Sequence, residues 1–571
     1  MRNHLTPACS GAKLLALFIF ILPTLCLLGC GGGTGHTDIV TQLPSGPPTI
    51  AGIAPGSGVV GASVTIAGSN FGSGQGTSSV AFGGKTASVA NWTNSQIVAK
   101  VPSGASSGSV VVTVGTNVSN AVTFNIVTTK PGTIALSNFG FQCGTSNNAP
   151  AANCPDVTLE GVPTPVWPTS TAQPGVLRLW DSQVAWSYLM TNYSGGVGSY
   201  NWSQLDGYLD DVATHGPVNV NYVFGCVPAF ATSGLAGTTP GSCGNGSSGA
   251  PVGSASPPND LGSTGSPTFT QFVTDLMSHC SAAGNCVKNL ITGYELWNEA
   301  NVNDSNNSMA ARWNGTPTQL YQMVAPAVKI IKTQNPNASI FTPSITANAQ
   351  AWMTTWLQAE LAGGNGVPIS NIYNIHQYLN NTTPEQSLTS LGNDLGPNSA
   401  GTVAGWTPLP WVMGETGYDN VNLPYDCNAG NTGTQFTTDD CIGQMVRWNL
   451  LQFSNGGSGL YWYYWNTYIG SNPQYATAYN AMMQYLVGGK FGSSCTSNGN
   501  TWTCPFTDSG QNQDLWVWVS CQNDASYSPC VNGPTTYPSA GYTSYRDLNG
   551  VSNPVSGSTV PIGVEPILLT P

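Results

Sequence analysis

The chain is 571 residues long, with 13 Lys and Arg, 25 Asp and Glu and 5 His, for a formal charge of −12 at neutral pH. Charged residues are only 7% while 40% are hydrophobic, which excludes a disordered polyelectrolyte and leaves apolar side chains enough for several domains. The acidic balance, without a basic stripe, excludes a nucleic-acid partner. Glutamates are few (Glu160, Glu295, Glu299, Glu360, Glu385, Glu415 and Glu565), so carboxylate chemistry has few candidates.

In chain order, Arg2 and Lys13 precede the apolar run Leu14–Leu28, which is too short for a comfortable membrane span and has the charge, apolar, small-residue order of an export signal. Its ending, Leu27-Leu28-Gly29-Cys30, resembles the lipobox of bacterial lipoproteins. That resemblance implies removal of residues 1–29, acylation of Cys30, export, and a lipid anchor that partners the chain with a membrane at the cell envelope. Residues 30–46 open with Gly31-Gly32-Gly33 and read as a flexible tether.

Residues 47–127 are rich in Gly, Ser, Thr and Val, with short alternating runs such as Ser63-Val64-Thr65-Ile66 and Ser109–Val114 between turn residues. This is the pattern of a small β-sandwich. The stretches Pro47–Ile50, Pro55-Gly56-Ser57-Gly58, Val64–Gly72, Val80–Gly84 and Ser119–Phe124 resemble the IPT/TIG immunoglobulin-like family, whose members act as spacers or binding units.

From residue 128 to 488 the texture changes. Apolar β-rich runs at Val176–Leu179, Val218–Phe224, Leu290–Trp297, Ile340–Thr342, Ile372–Tyr378, Trp411–Gly414 and Gly459–Trp465 alternate with helical patterns. The helices are expected at Phe269–Cys280, Gln319–Thr333, Ala351–Ala362, Ile442–Phe453 and Tyr475–Leu486. Alternation over this length predicts a (β/α)8 barrel. Residues 489–571 lose the helical signal and read as an accessory β-domain, so the expected fold is multidomain: barrel, N-terminal immunoglobulin-like sandwich and C-terminal β-domain.

Beyond Cys9, Cys26 and Cys30, the cysteines fall as near neighbours: Cys143 and Cys154, Cys226 and Cys243, Cys280 and Cys286, Cys427 and Cys441, Cys495 and Cys504, Cys521 and Cys530. Six local disulfides are the simplest pairing for an exported chain, although spacing alone does not fix connectivity. No Cys-x₂-Cys pair and no His pair at ligand spacing occurs, so neither a metal nor a cofactor is expected.

Two strand ends carry the chemistry. Ile291–Glu299 runs from a strand through Tyr294-Glu295-Leu296-Trp297-Asn298-Glu299, and alternation would put Glu295, Trp297 and Glu299 on one face. Pro410–Gly417 repeats the design, an apolar strand ending in Glu415 before a turn. Catalytic side chains of a barrel lie at the C-terminal ends of its strands. The separation of Glu299 and Glu415 suits strands 4 and 7, facing each other over the mouth. Two carboxylates across a cleft are what glycosidic cleavage requires, and about 5 Å between them predicts retention of configuration.

Trp297-Asn298-Glu299 resembles the W-N-E signature of the clan A retaining glycoside hydrolases, and Glu415 the strand-7 nucleophile; the nearest member is family 39, of β-xylosidases and α-L-iduronidases. The resemblance covers residues 132–571. It implies Glu299 as general acid/base, Glu415 as nucleophile, and Asn298 as donor to the sugar 2-hydroxyl. His376 and Tyr378, in His376-Gln377-Tyr378, match the family's H-x-Y beside the nucleophile, and Trp462 or Trp465 would floor the sugar subsite. Ala300 departs from the family, which has Pro after the acid/base. Glu295 is expected as a buried hydrogen-bonding support. Arg178 would bind substrate, orient Glu415 with a bidentate contact, or pair with Asp181. The tail, through Tyr545–Gly550 and Ile562–Leu569, resembles the β-domain that accompanies such barrels.

The expected function is a retaining glycoside hydrolase acting on an oligo- or polysaccharide, with the pKa values of the two carboxylates pushed apart. Two alternatives use the same features: a catalytically retired glycan-binding or adhesion lipoprotein, and a transglycosylase. Retention of both Glu299 and Glu415 speaks against the first.

Overall fold

The computed structural model describes residues 46–54, 57–58, 63–102, 105, 108–126, 132–142, 174–180, 182–215, 219–232, 253–302, 311–346, 349–379, 383–399, 402–418, 438–463, 469, 473–520 and 535–571. The export run, Cys30, Cys143, Cys154, Asp181, Cys243, Cys427, Trp465, Cys521 and Cys530 lie outside these residues. No helix among the described residues is long and apolar enough to cross a membrane.

The N-terminal module is a sandwich of two sheets, one antiparallel and one antiparallel except for a parallel pairing of Val122–Ile126 with Ser57–Gly58. Thr49–Ala54, Ser63–Ser69, Gln96–Lys100 and Ser88–Trp92 form one, in that spatial order; Val122–Ile126, Gly108–Val114 and Ser79–Phe82 form the centre of the other. Alternation does the work: Val64, Ile66, Val110, Val112 and Phe124 are buried between the sheets, whereas Thr65, Ala67, Ser109, Val111 and Thr113 are more exposed. Each such side chain contributes about 1.5–3 kcal/mol through burial.

Eight parallel strands follow: β1 (Phe139–Phe141), β2 (Val176–Leu179), β3 (Asn219–Val223), β4 (Ile291–Glu295), β5 (Ser339–Phe341), β6 (Tyr373–His376), β7 (Trp411–Thr416) and β8 (Gly457–Trp462). Neighbours pair in sequence order, and β8 pairs β1. Parallel bridges Phe341–Ile372 and Ile345–Ile375 close the ring between β5 and β6. Outside it lie α1 (Ser203–His215), α2 (Pro267–Ser278), α3 (Pro317–Gln334), α4 (Gln350–Gly363), α5 (Leu388–Leu395), α6 (Thr438–Ser454) and α7 (Pro473–Leu486). The fold is thus a (β/α)8 barrel with an immunoglobulin-like module before it and a β-domain after it.

Local chemistry explains the helix starts. Thr316 and Gln319 form a capping box on α3 with Pro317 in its first turn, and Ser266 caps α2 ahead of Pro267. Three elements were not expected. β1 is a three-residue Phe-Gly-Phe run with no alternation to read. The helix α1 contains Gly207 and three Asp yet buries Leu205, Leu209 and Val212 at helical spacing; tertiary burial outweighs its weak propensity. The helix α5 is only eight residues long, too short for its buried Leu391 and Leu395 to show a helical period.

The C-terminal sheet is antiparallel, ordered Lys490–Phe491, Thr501–Thr507, Gln513–Val519, Ile567–Thr570, Ser544–Arg546 and Ser552–Pro554. It latches onto the barrel where Glu385, after β6, accepts from Trp518 Nε1 at 2.7 Å and from Arg447 of α6 at 3.2 Å. Cys280–Cys286 and Cys495–Cys504 are disulfides, and Cys226 and Cys441 are disulfide-bonded as well.

Candidate active site

Glu415 is the fifth residue of the six-residue β7, so the strand itself aims its side chain at the C-terminal mouth. Gly414 before it is a close approach: a Cβ there would lie 2.1 Å from Asn374 Oδ1 of β6. Glu299 arrives differently. β4 stops at Glu295, and Glu299 adopts φ +45°, a left-handed conformation uncommon for a non-glycine residue. Its backbone N–H donates to Ser344 Oγ at 2.8 Å, Ala300 N–H to Ser344 O at 3.1 Å, and Ser344 N–H to Trp297 O at 2.9 Å, so the residues after β5 pin the turn. The expected common face of Glu295, Trp297 and Glu299 therefore does not form, because the alternation ends with the strand. Trp297 is buried edge-on to Trp313, while Glu295 and Glu299 turn to the site.

One oxygen each of Glu299 and Glu415 and one nitrogen of His376 lie within 4.8 Å of one another. All three residues are buried. Behind Glu415 sits Arg178 of β2, fully buried, whose five N–H donors are all used. Its Nε and Nη2 fork onto Glu295 at 3.0 Å each, Nη2 also reaches Asn298 Oδ1 at 2.7 Å, and Nη1 donates to Glu415 Oε2 at 2.6 Å and to Gln142 Oε1. The bidentate contact expected toward Glu415 is thus made with Glu295, whose position at the end of β4 lies directly opposite the guanidinium. With every donor engaged inside the protein, Arg178 stands behind the carboxylates as their counter-ion. Burial works to lower its pKa, but Glu295 and Glu415 outweigh that and hold it raised.

Tyr378 donates its phenol to the other Glu415 oxygen, Oε1. Burial, then the charges of Glu415 and Glu299, push the Tyr378 pKa well above its usual value, so it remains a donor. His376 Nδ1 lies 3.3 Å from Glu299 Oε1 and 3.9 Å from Glu415 Oε2. Burial lowers its pKa to about 4, so the imidazole is neutral near pH 7. Arg312 Nε is 3.6 Å from Glu299 Oε2, and its guanidinium lies over the Trp180 ring at 5.8 Å. Glu415 thus has two close donors, whereas Glu299 has longer contacts.

Asn298 presents its oxygen to Arg178, and its Nδ2 has no partner among the described residues. Trp462 closes β8 fully buried, edge-on to Tyr418 at 5.2 Å, with its indole N–H unpartnered among the described residues. Glu299, His376 and Glu415 offer atoms that could ligate a cation. The guanidinium 2.6 Å from Glu415 already occupies the counter-ion's place and would oppose a second positive charge there.

Sequence reading missed Gln142, Arg312 and Ser344. Gln142 follows the unrecognised β1, and Ser344 and Arg312 gain meaning only through contact with Glu299.

Residues 48–128 match the family model of the IPT/TIG domain. No curated relative matches the chain. Among solved structures, the chain is similar to a family 39 glycoside hydrolase from the gut symbiont Bacteroides cellulosilyticus, at 15% identity over 90% of this chain and 98% of that one, with a TM-score of 0.46. It is also similar to a glucosidase from Croceicoccus marinus, at 14% identity over 77% and 96% of the two chains, TM-score 0.46. A third similarity is to the catalytic domain of GH30 xylanase C from Talaromyces cellulolyticus, at 12% identity over 77% and 98%, TM-score 0.43.

Proposed function

We propose that the protein is a retaining glycoside hydrolase with Glu415 as nucleophile and Glu299 as general acid/base. The observation that carries this reading is the pair of buried carboxylates, one just past the end of β4 and one on β7, whose nearest oxygens lie within 4.8 Å. Retaining enzymes hold their carboxyl groups roughly 5–5.5 Å apart, whereas inverting enzymes separate them by about 6.5–9.5 Å to admit a water.

The two environments suit the two roles. Arg178 and Tyr378 aim donors at Glu415 and stabilise its anionic form, as a nucleophile needs. Glu299 meets a neutral imidazole and a more distant guanidinium, so it can carry a proton to the leaving oxygen and later take one from water. Glu415 would attack the anomeric carbon as Glu299 protonates the departing oxygen; water, deprotonated by Glu299, would then release the sugar with its configuration retained. The unpartnered Asn298 amide hydrogens would serve the 2-hydroxyl. The substrate is then a carbohydrate, and the signal-like N-terminus, acylated at Cys30, would hold the enzyme at the cell envelope.

The test is turnover of a panel of aryl glycosides and polysaccharides, with the first-formed product anomer read by NMR. Retained product is expected; inverted product, or no turnover across the panel, overturns the reading.

A further inference from the structure

We propose that Gln142 is a positioning residue of this site: its amide oxygen shares Arg178 Nη1 with Glu415 and so fixes where the guanidinium charge sits against that carboxylate. The inference rests on the role given to Glu415 above and deepens it.

Gln142 is the residue after β1. Its backbone N–H donates to Trp462 O at 2.8 Å, tying the end of β1 to the end of β8 at the catalytic mouth. The side chain is fully buried. Because a guanidinium only donates, the atom facing Arg178 must be the amide oxygen, which sets the orientation of the whole group. The Nε2 end is then left without a partner among the described residues. A buried unpaired donor destabilises a fold, so the amide is retained at the cost of leaving Nε2 unmatched. The amide serves the guanidinium.

Arg178 is already divided between carboxylates. Nε and Nη2 belong to Glu295, and Nη2 to Asn298 as well, leaving Nη1 for Glu415. A neutral acceptor at position 142 satisfies the second Nη1 hydrogen without adding charge. An apolar residue would orphan that hydrogen, and a carboxylate would compete with Glu415 for the same nitrogen. The charged and titratable groups facing Glu415 are Arg178 from β2, Glu299 and Glu295 from the end of β4, and His376 and Tyr378 from the end of β6. Among these, Arg178 is the one that Gln142 contacts, so the influence of Gln142 travels through it.

The test uses the full chain with Gln142→Glu, nearly isosteric, and Gln142→Met, which removes the acceptor. Labelling the glutamate side-chain carboxyls with ¹³C gives few signals, and Glu415 is assigned by its loss in Glu415→Gln. The Glu415 titration midpoint is expected to rise by about one pH unit or more in Gln142→Glu and by less in Gln142→Met. The acidic limb of kcat/KM should move with it, kcat falling about tenfold while KM stays within twofold. Should Gln142→Glu not fold, the Gln142→Met titration decides alone. A folded variant in which Glu415 titrates as in the unmodified chain overturns the proposal. Because the NMR titration needs no turnover, an inactive unmodified chain would refute the glycosidase reading while the titration still answers for Gln142.

Discussion

Glu415 and Glu299 reach the same end of the barrel by opposite routes. Glu415 stands on a regular strand, with a guanidinium and a phenol on its two oxygens. Glu299 stands past the end of its strand in a left-handed turn, held through its backbone by Ser344 and touched at longer range by His376 and Arg312. The difference follows the work proposed for each. A nucleophile benefits from a fixed charge and position, whereas an acid/base must exchange a proton and so cannot be saturated with strong donors.

Removing each carboxylate separates the roles most sharply. Glu415→Gly should lower kcat/KM about 10⁴-fold or more whatever the leaving group, with added azide giving a glycosyl azide of opposite anomeric configuration. Glu299→Ala should slow substrates with poor leaving groups about 10²–10⁴-fold and spare the first step on activated aryl glycosides, with azide giving the substrate's own anomer. Equal sensitivity to the leaving group in both variants would erase the distinction.

Glu360 supplies a contrast, a buried carboxylate with a structural role. In α4 it accepts from Trp356 Nε1 at 2.8 Å and from the Ser370 hydroxyl at 2.5 Å, and burial raises its pKa to about 7. The fold therefore favours its protonated form. That stabilisation is complete below the ordinary carboxylate pKa of 4.5 and is lost as pH rises through about 7. Glu360→Gln should remove this slope, worth about 3 kcal/mol, from urea midpoints measured between pH 4 and 8. Parallel profiles for the two proteins would show that the carboxylate is not held protonated.

Smaller changes test the supports. Tyr378→Phe should cost about 1.5–3 kcal/mol of transition-state stabilisation, a tenfold or greater fall in kcat that is independent of leaving group because it acts through Glu415. Ser344→Ala should cost about 1 kcal/mol and should weigh most on poor leaving groups, because it loosens Glu299. A reversed leaving-group pattern in these two variants would reverse the assignment of supports.

Much of this was legible in the chain. Apolar β-rich runs alternating with helical patterns place a barrel, and the two that lead into Glu299 and Glu415 mark its mouth, because strand and helix patterning are local consequences of backbone geometry. Seven of the eight strands stand out as such apolar runs; β1 does not, since three residues are too few to form one. The pairing of Arg178 was not legible. Sequence left it between substrate, Glu415 and Asp181, and only the closed ring, bringing β1, β2, β4 and β7 to one guanidinium, decides that its fork falls on Glu295 and its remaining nitrogen on Gln142 and Glu415. The left-handed turn at Glu299 was hidden for the same reason: its support comes from Ser344, 45 residues away. Spacing along a chain fixes which face a side chain shares with its near neighbours, but how a buried charge divides its hydrogen bonds depends on every group that folding brings within reach.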